Sequence, residues 1–259
     1  MVGSNRNDDV RSTRACIATA LFLTILLLPA KADDAMDYRY RASAYAGLFI
    51  PQSVSWIGNG VLNGLPISAT GKLSSKAGWA TGGLIGYTFD EPGWRWLNID
   101  LTAGYVTSSF DHFTGTISLP GLGNVTGPAP LSGNFHTYAG FVNFLATPFG
   151  VRHLLGDRLT PFIGIGPGIA STTTKLQSFT LMGNAFPVNA SGSETDFAFD
   201  VLIGADYSLS EHWELGVAYQ YTWLDTKHLG GAPSLTANSG SSAGHSFGLV
   251  LEYRFGQVR

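Results

Sequence analysis

His245 and Ser246 form the one adjacent histidine–serine pair in the chain, and that pairing is the first to test for nucleophilic chemistry. The residues around them alternate bulky and small, which marks a β-strand, and neighbours on a strand point to opposite faces. The two side chains therefore cannot exchange a proton directly. Histidines stand at 112, 136, 153, 212, 228 and 245, and none forms a metal-ligand spacing such as His-x-x-x-His. Gly164-x-Gly166-x-Gly168 resembles part of a phosphate loop, but neither a helical pattern nor Lys-Ser/Thr follows it. Glycines in a strand more naturally make room for large neighbours or relieve curvature. Catalytic, cofactor-binding and metal-ligating residues are accordingly expected to be none.

The remaining chemistry is electrostatic. Asp100, Asp200, Glu214, Glu252 and Arg254 each fall on the small or polar face of an alternating segment, with Asp196 and Asp206 near segment ends and Arg39, Arg41 and Arg95 towards one end. Such a set makes either an ion path or a plug in which the charges pair and exclude bulk water. The plug is the simpler expectation, because a narrow interior fills with side chains.

The elements that carry these residues show period-two alternation over about ten residues each. In Arg95 to Thr107, Leu97, Ile99, Leu101, Ala103 and Tyr105 oppose Asn98, Asp100, Thr102 and Gly104. Asp196 to Tyr207, Trp213 to Trp223 and His245 to Phe255 repeat the pattern, and Ala42 to Ile50, Lys76 to Phe89, Phe135 to Phe149 and Pro161 to Thr173 carry it less cleanly. A soluble sandwich would show Lys and Glu on its polar faces, whereas these show Gly, Ala and Asn. Eight such segments predict an all-β fold, an eight-stranded antiparallel transmembrane β-barrel. Aromatic residues near segment ends (Trp79, Phe89, Trp94, Trp96, Trp213, Trp223, Phe255) fit interfacial belts.

Connection lengths alternate. Asp90 to Gly93 and Ser208 to His212 are short, and Gly150 to Thr160 is moderate; Pro51 to Ser75, Asp111 to Asn134, Lys175 to Thr195 and Thr226 to Gly244 are long. Short periplasmic turns and four long extracellular loops follow, with both termini in the periplasm. The long segments read as solvated loops or hairpin extensions of the strands, or as a contact surface for a ligand.

Residues 1–32 read as a cleaved Sec signal peptide and 33–259 as the barrel domain. Arg6, Arg11 and Arg14 precede an apolar run from Ala15 to Leu28 and an Ala30-Lys31-Ala32 cleavage site. Cys16, the sole cysteine, opens that run, so the mature chain would hold no thiol. Cleavage removes four basic and two acidic residues and takes the formal charge from -3 to -5. An acidic chain without a basic stripe argues against a nucleic-acid partner. Charged residues are only 13% of the chain, which suits lipid surroundings, and no mature segment has the apolar length of a spanning helix.

Several of these stretches resemble the small OmpA-like and opacity-type outer-membrane barrels, the porin-like surface antigens of Gram-negative bacteria. Thr160 to Gly168 is similar to their Pro-Tyr-x-Gly-x-Gly-x-Gly strand, and Gly216 to Thr222 to their Tyr-Arg-Tyr-Thr strand. Val142-Asn143-Phe144 resembles their fourth strand, and Gly82 to Tyr87 their second. Ser246 to Phe255, with Gly248, Leu251, Tyr253 and Phe255, looks like the C-terminal signal read by the barrel-assembly machinery, although four residues follow Phe255.

The resemblance implies a non-enzymatic surface protein of a Gram-negative outer membrane. Its partners would be outer-membrane lipids, lipopolysaccharide, the assembly machinery during biogenesis, and an extracellular ligand not identified by the sequence. A small porin-like channel is the alternative. A lipid A-modifying enzyme is a more remote one, since the His-x-Ser motif of the deacylase barrels is missing from this chain.

Overall fold

The computed structural model describes residues 38–257 apart from 63–64, 90–93, 95, 120, 122, 148–157, 226–228 and 233–234. The expected signal peptide, the Asp90–Gly93 turn and most of the Gly150–Thr160 connection lie outside the described residues. In chain order the strands are β1 (Tyr38–Pro51), β2 (Val54–Leu62), β3 (Leu65–Ser75), β4 (Gly78–Thr88), β5 (Leu97–Leu119) and β6 (Gly123–Ala146). They continue as β7 (Leu159–Leu181), β8 (Asn184–Ser208), β9 (Trp213–Leu224), β10 (Leu229–Ala232), β11 (Leu235–Ser239) and β12 (Ser242–Gln257).

Eight of these strands close into a barrel in the order β1-β4-β5-β6-β7-β8-β9-β12, with β12 pairing back onto β1 and every ladder antiparallel. Closure leaves no unpaired edge to face lipid. One register row runs Tyr40, Tyr87, Ile99, Phe144, Ile165, Val201, Tyr221, His245 and returns to β1 at Ile50, ten residues beyond its start. A shear of ten on eight strands tilts them by about 40° to the axis.

Alternation fixes what each face meets. On β5, Leu101 is 64% exposed while its neighbours Asp100 and Thr102 are buried. Ile85, Ile163, Ile165, Ile203, Val217, Leu249 and Leu251 are likewise exposed, and they form the lipid-facing apolar band. Rings cluster at both margins of the band. Tyr40 stacks on Phe255 at 5.7 Å, Trp213 meets Tyr253 at 5.0 Å and Trp94 stacks on Trp96 at 6.2 Å at the end that holds the termini. Tyr105 and Tyr138 pack at 4.9 Å at the other.

At that other end the long connections are mostly strand. β5 with β6, and β7 with β8, continue as paired hairpins to their tips. β2 and β3 form a hairpin whose β3 pairs with the outer part of β5, β11 adds to β2, β10 adds to β11, and β10 lies against β8. The outer segments thus wrap round as a second tier above the barrel. Its interior is apolar: Phe113, Ile117, Ala129, Phe179 and Leu181 are buried together, with Trp56, Val125, Leu131 and Phe186 against them.

The two tiers meet at a belt of register irregularities, between Ser74 and Ser75, Ser109 and His112, Ser132 and Gly133, and Leu176 and Ser178. A bulge inserts one residue and so exchanges the two faces. On β5 the buried side changes from Asp100, Thr102, Ser108 and Phe110 to Phe113 and Ile117 across the belt.

Candidate functional site

Inward-facing residues at the terminal end of the barrel build a chain of alternating charge. Arg41 (β1) donates from Nε at 3.0 Å and from Nη2 at 2.7 Å to Asp100 (β5). Its Nη1 lies 3.7 Å from Oε2 of Glu252 (β12). Arg254 donates from Nε to the other Glu252 oxygen at 3.0 Å and reaches Glu214 (β9) with Nη2. Hydroxyls complete the carboxylates: Ser43 donates to Glu252 at 3.1 Å and Ser208 to Glu214 at 2.7 Å. Asp206 is buried beside this cluster, facing Gly216.

Four of the five charged residues singled out from the sequence, Asp100, Glu214, Glu252 and Arg254, thus meet in one network, with Arg41 as the link between Asp100 and Glu252. The fifth, Asp200, is inward and fully buried but belongs to a separate layer. It accepts from Gln220 Nε2 at 2.6 Å, while Asn143 Nδ2 donates to Thr102 at 3.0 Å. Asn143 and Asp200 converge on Gly166, where a Cβ would collide with both side chains. This is the physical use of the middle glycine in the Gly164-x-Gly166-x-Gly168 run. Reading the sequence missed the linking role of Arg41 and the parts played by Asn143, Gln220, Ser43 and Ser208. Part of their signal was present: Ser43, Asn143 and Gln220 fall on the polar side of their alternating strands, whereas Arg41 and Ser208 lie one residue beyond the alternating segments.

Above the charged cluster, Tyr45 lies across the lumen over Gly82 and Gly104, where a Cβ on either would strike its ring or hydroxyl. Tyr45, Ala80, Gln220 and Ser246 separate two cavities, each lined by these four residues. The lower, of about 70 Å³, adjoins Arg41, Asp100, Asp206 and Glu252. The upper, of about 110 Å³, lies between this partition and the outer tier.

The residues of the expected assembly signal sit on β12. Leu251, Tyr253 and Phe255 face outward, whereas Gly248 faces inward opposite Gly47 and Ala218. His245 and Ser246 lie on opposite faces: Ser246 lines the cavities, and the His245 ring is bonded outside to Tyr219 at 2.7 Å and Gln52 at 2.9 Å. Among the described residues, no group of three or more His, Cys, Asp or Glu side chains could hold a metal ion.

Among solved structures, Neisserial surface protein A is 12% identical with a TM-score of 0.44, covering 83% of this chain and 97% of that one. The outer membrane protein OprG from Pseudomonas aeruginosa is 12% identical with a TM-score of 0.45, covering 86% and 100%. A major outer membrane protein from Thermus thermophilus is 12% identical with a TM-score of 0.46, covering 83% and 99%. No curated protein matches the chain in sequence. The family described as outer membrane protein beta-barrel domain matches residues 18–255, nearly the whole chain. The closed eight-stranded barrel with its lipid-facing apolar band agrees with that match, and the chain belongs to the outer membrane protein β-barrel domain family.

Proposed function

We propose that this outer-membrane barrel is a non-enzymatic surface protein of a Gram-negative bacterium, contributing to envelope structure and to contact with the environment through its outer tier. The observation that carries the reading is the apolar core around Phe113 and Phe179, which makes the long external connections a fixed platform. A rigid scaffold that presents a surface is how barrels without catalytic groups act on their surroundings. Export by a Sec signal over residues 1–32, insertion guided by the β12 signal, and lipid and lipopolysaccharide as the surrounding partners belong to the same reading.

The charged cluster supports a closed lumen, because Asp100, Arg41, Glu252, Arg254 and Glu214 bond one another across the bore. The test compares attachment to surfaces by cells that lack the protein, cells that carry it, and cells in which residues 113–133 are replaced by a short Asn-Gly turn. Attachment should require the intact tier while the shortened barrel still inserts. Equal attachment by all three strains, together with a steady porin-sized conductance of the wild type in planar bilayers, would replace this reading with the channel.

A further inference from the structure

The upper cavity is unlike the rest of the lumen. Below Tyr45 the interior is charged and cross-bonded, and above the belt of bulges it is packed with apolar rings. Between them the wall carries Phe49, Val106, Phe110, Phe135, Phe141 and Leu224, and among the described residues none of the lining side chains is charged. The polar groups that line it are neutral. Tyr45 and Gln220 stand at the partition, and Thr137 and Thr172 are bonded to each other at 2.9 Å. Gln220 has its amide nitrogen committed to Asp200, which leaves its carbonyl oxygen as an acceptor.

The wall changes strands on one side. In that sector β1 ends at Pro51, β9 ends at Leu224 and β12 begins at Ser242, whereas β5, β6, β7 and β8 continue outward. Pro51, Gln52, Val54 and Ser242 line the cavity there, where β1, β9 and β12 give way to β2, β11 and β10 of the outer tier.

We propose that this chamber binds a small, uncharged amphipathic molecule: one aromatic ring or a short aliphatic chain bearing a single hydroxyl or amide-like group. About 110 Å³ suits a molecule of that size, since apolar cavities of comparable volume take up a benzene ring. The ring or chain lies among the phenylalanines and the polar group faces Gln220 and Tyr45. An anion is disfavoured twice over. Among the described residues no cation lines the chamber, and the carboxylates of Asp100, Asp206 and Glu252 line the cavity on the far side of the partition, with Asp200 bonded to Gln220 of the partition itself.

The protein, reconstituted in lipid nanodiscs with labelled Val and Leu methyls, is titrated with 4-bromobenzyl alcohol and followed by NMR. Methyls of Val54, Leu73, Val106 and Leu224 should shift and saturate, while the lipid-facing Val142 and Leu249 should drift only in proportion to added probe. 4-Bromobenzoate should bind at least about tenfold more weakly. Ala139→Phe, which fills the chamber from β6, should abolish the saturable shifts. Should that variant not fold, as judged by heat-modifiable mobility, Thr222→Leu on β9 takes its place. Proportional drift at every methyl, or saturation unchanged in the filled variant, would overturn the site. Equal affinity for alcohol and benzoate would overturn the ligand class.

Discussion

Arg41 and Arg254 are direct partners in the β1–β12 ladder, both point into the barrel, and each binds a different oxygen of Glu252. Like charges placed opposite one another across a ladder destabilise it. Here the carboxylate between them turns a repulsive pair into a bridge, and Asp100 and Glu214 hold its two ends.

Glu252→Gln should therefore cost much more than the loss of one ion pair. It leaves two guanidinium groups facing each other without the shared carboxylate, each with one carboxylate left, a defect of about 2–3 kcal/mol. Urea unfolding in lipid vesicles, read by tryptophan fluorescence, measures it. Ser43→Ala removes only one hydroxyl donor to the same carboxylate and should cost about 1 kcal/mol. If the two variants are equally stable, Glu252 is not the keystone between the arginines.

Facing is tested on neighbouring residues of β5. Leu101→Arg puts a charge against the hydrocarbon and should destabilise by about 2–4 kcal/mol. Thr102→Ser keeps the hydroxyl that accepts from Asn143 and should be close to neutral. Folding yield into bilayers distinguishes them, and the opposite ranking would reverse the faces.

The outer tier should be able to open while the barrel stays closed. Phe113→Ala opens a cavity in the apolar core above the belt of bulges, at a cost of about 3–5 kcal/mol local to that tier. On intact cells, added protease should then cut within residues 113–133, where the wild type resists. The heat-modifiable mobility of the barrel should be unchanged. Cleavage of both proteins at the same rate would mean that the tier is not packed as a unit.

Processing gives a fourth test. Protein recovered from outer membranes should begin at Asp33, directly after Ala30-Lys31-Ala32, when its intact mass is measured. A mass that retains Met1 would exclude cleavage.

The barrel was legible because lipid and a narrow lumen impose opposite demands on alternate residues. Leu97 to Tyr105 against Asn98 to Gly104 displays both demands without interruption. The outer tier was harder to read for two reasons. Its outward face meets water, so Thr114, Thr116, Thr126, Pro128 and Pro130 gave the segment the composition of a loop. The bulges near Ser109 and Leu176 also exchange the faces, so the alternation of β5 and β7 loses phase where it leaves the membrane. The charged lumen was visible residue by residue, but its connectivity was not. Arg41 and Glu252 are brought together only by the β1–β12 closure, and a shear of ten sets which residues across the bore share a level.

Since the external segments are paired strands around an apolar core, tolerated substitution in the outer tier is confined to every second residue. Thr114, Pro128 and Pro130 are exposed and can change without disturbing their neighbours' packing, whereas Phe113, Ile117 and Ala129 cannot. Sequence change in this tier should therefore appear as a comb, with variable teeth on fixed spacing, rather than as the continuous variable stretches of a free loop.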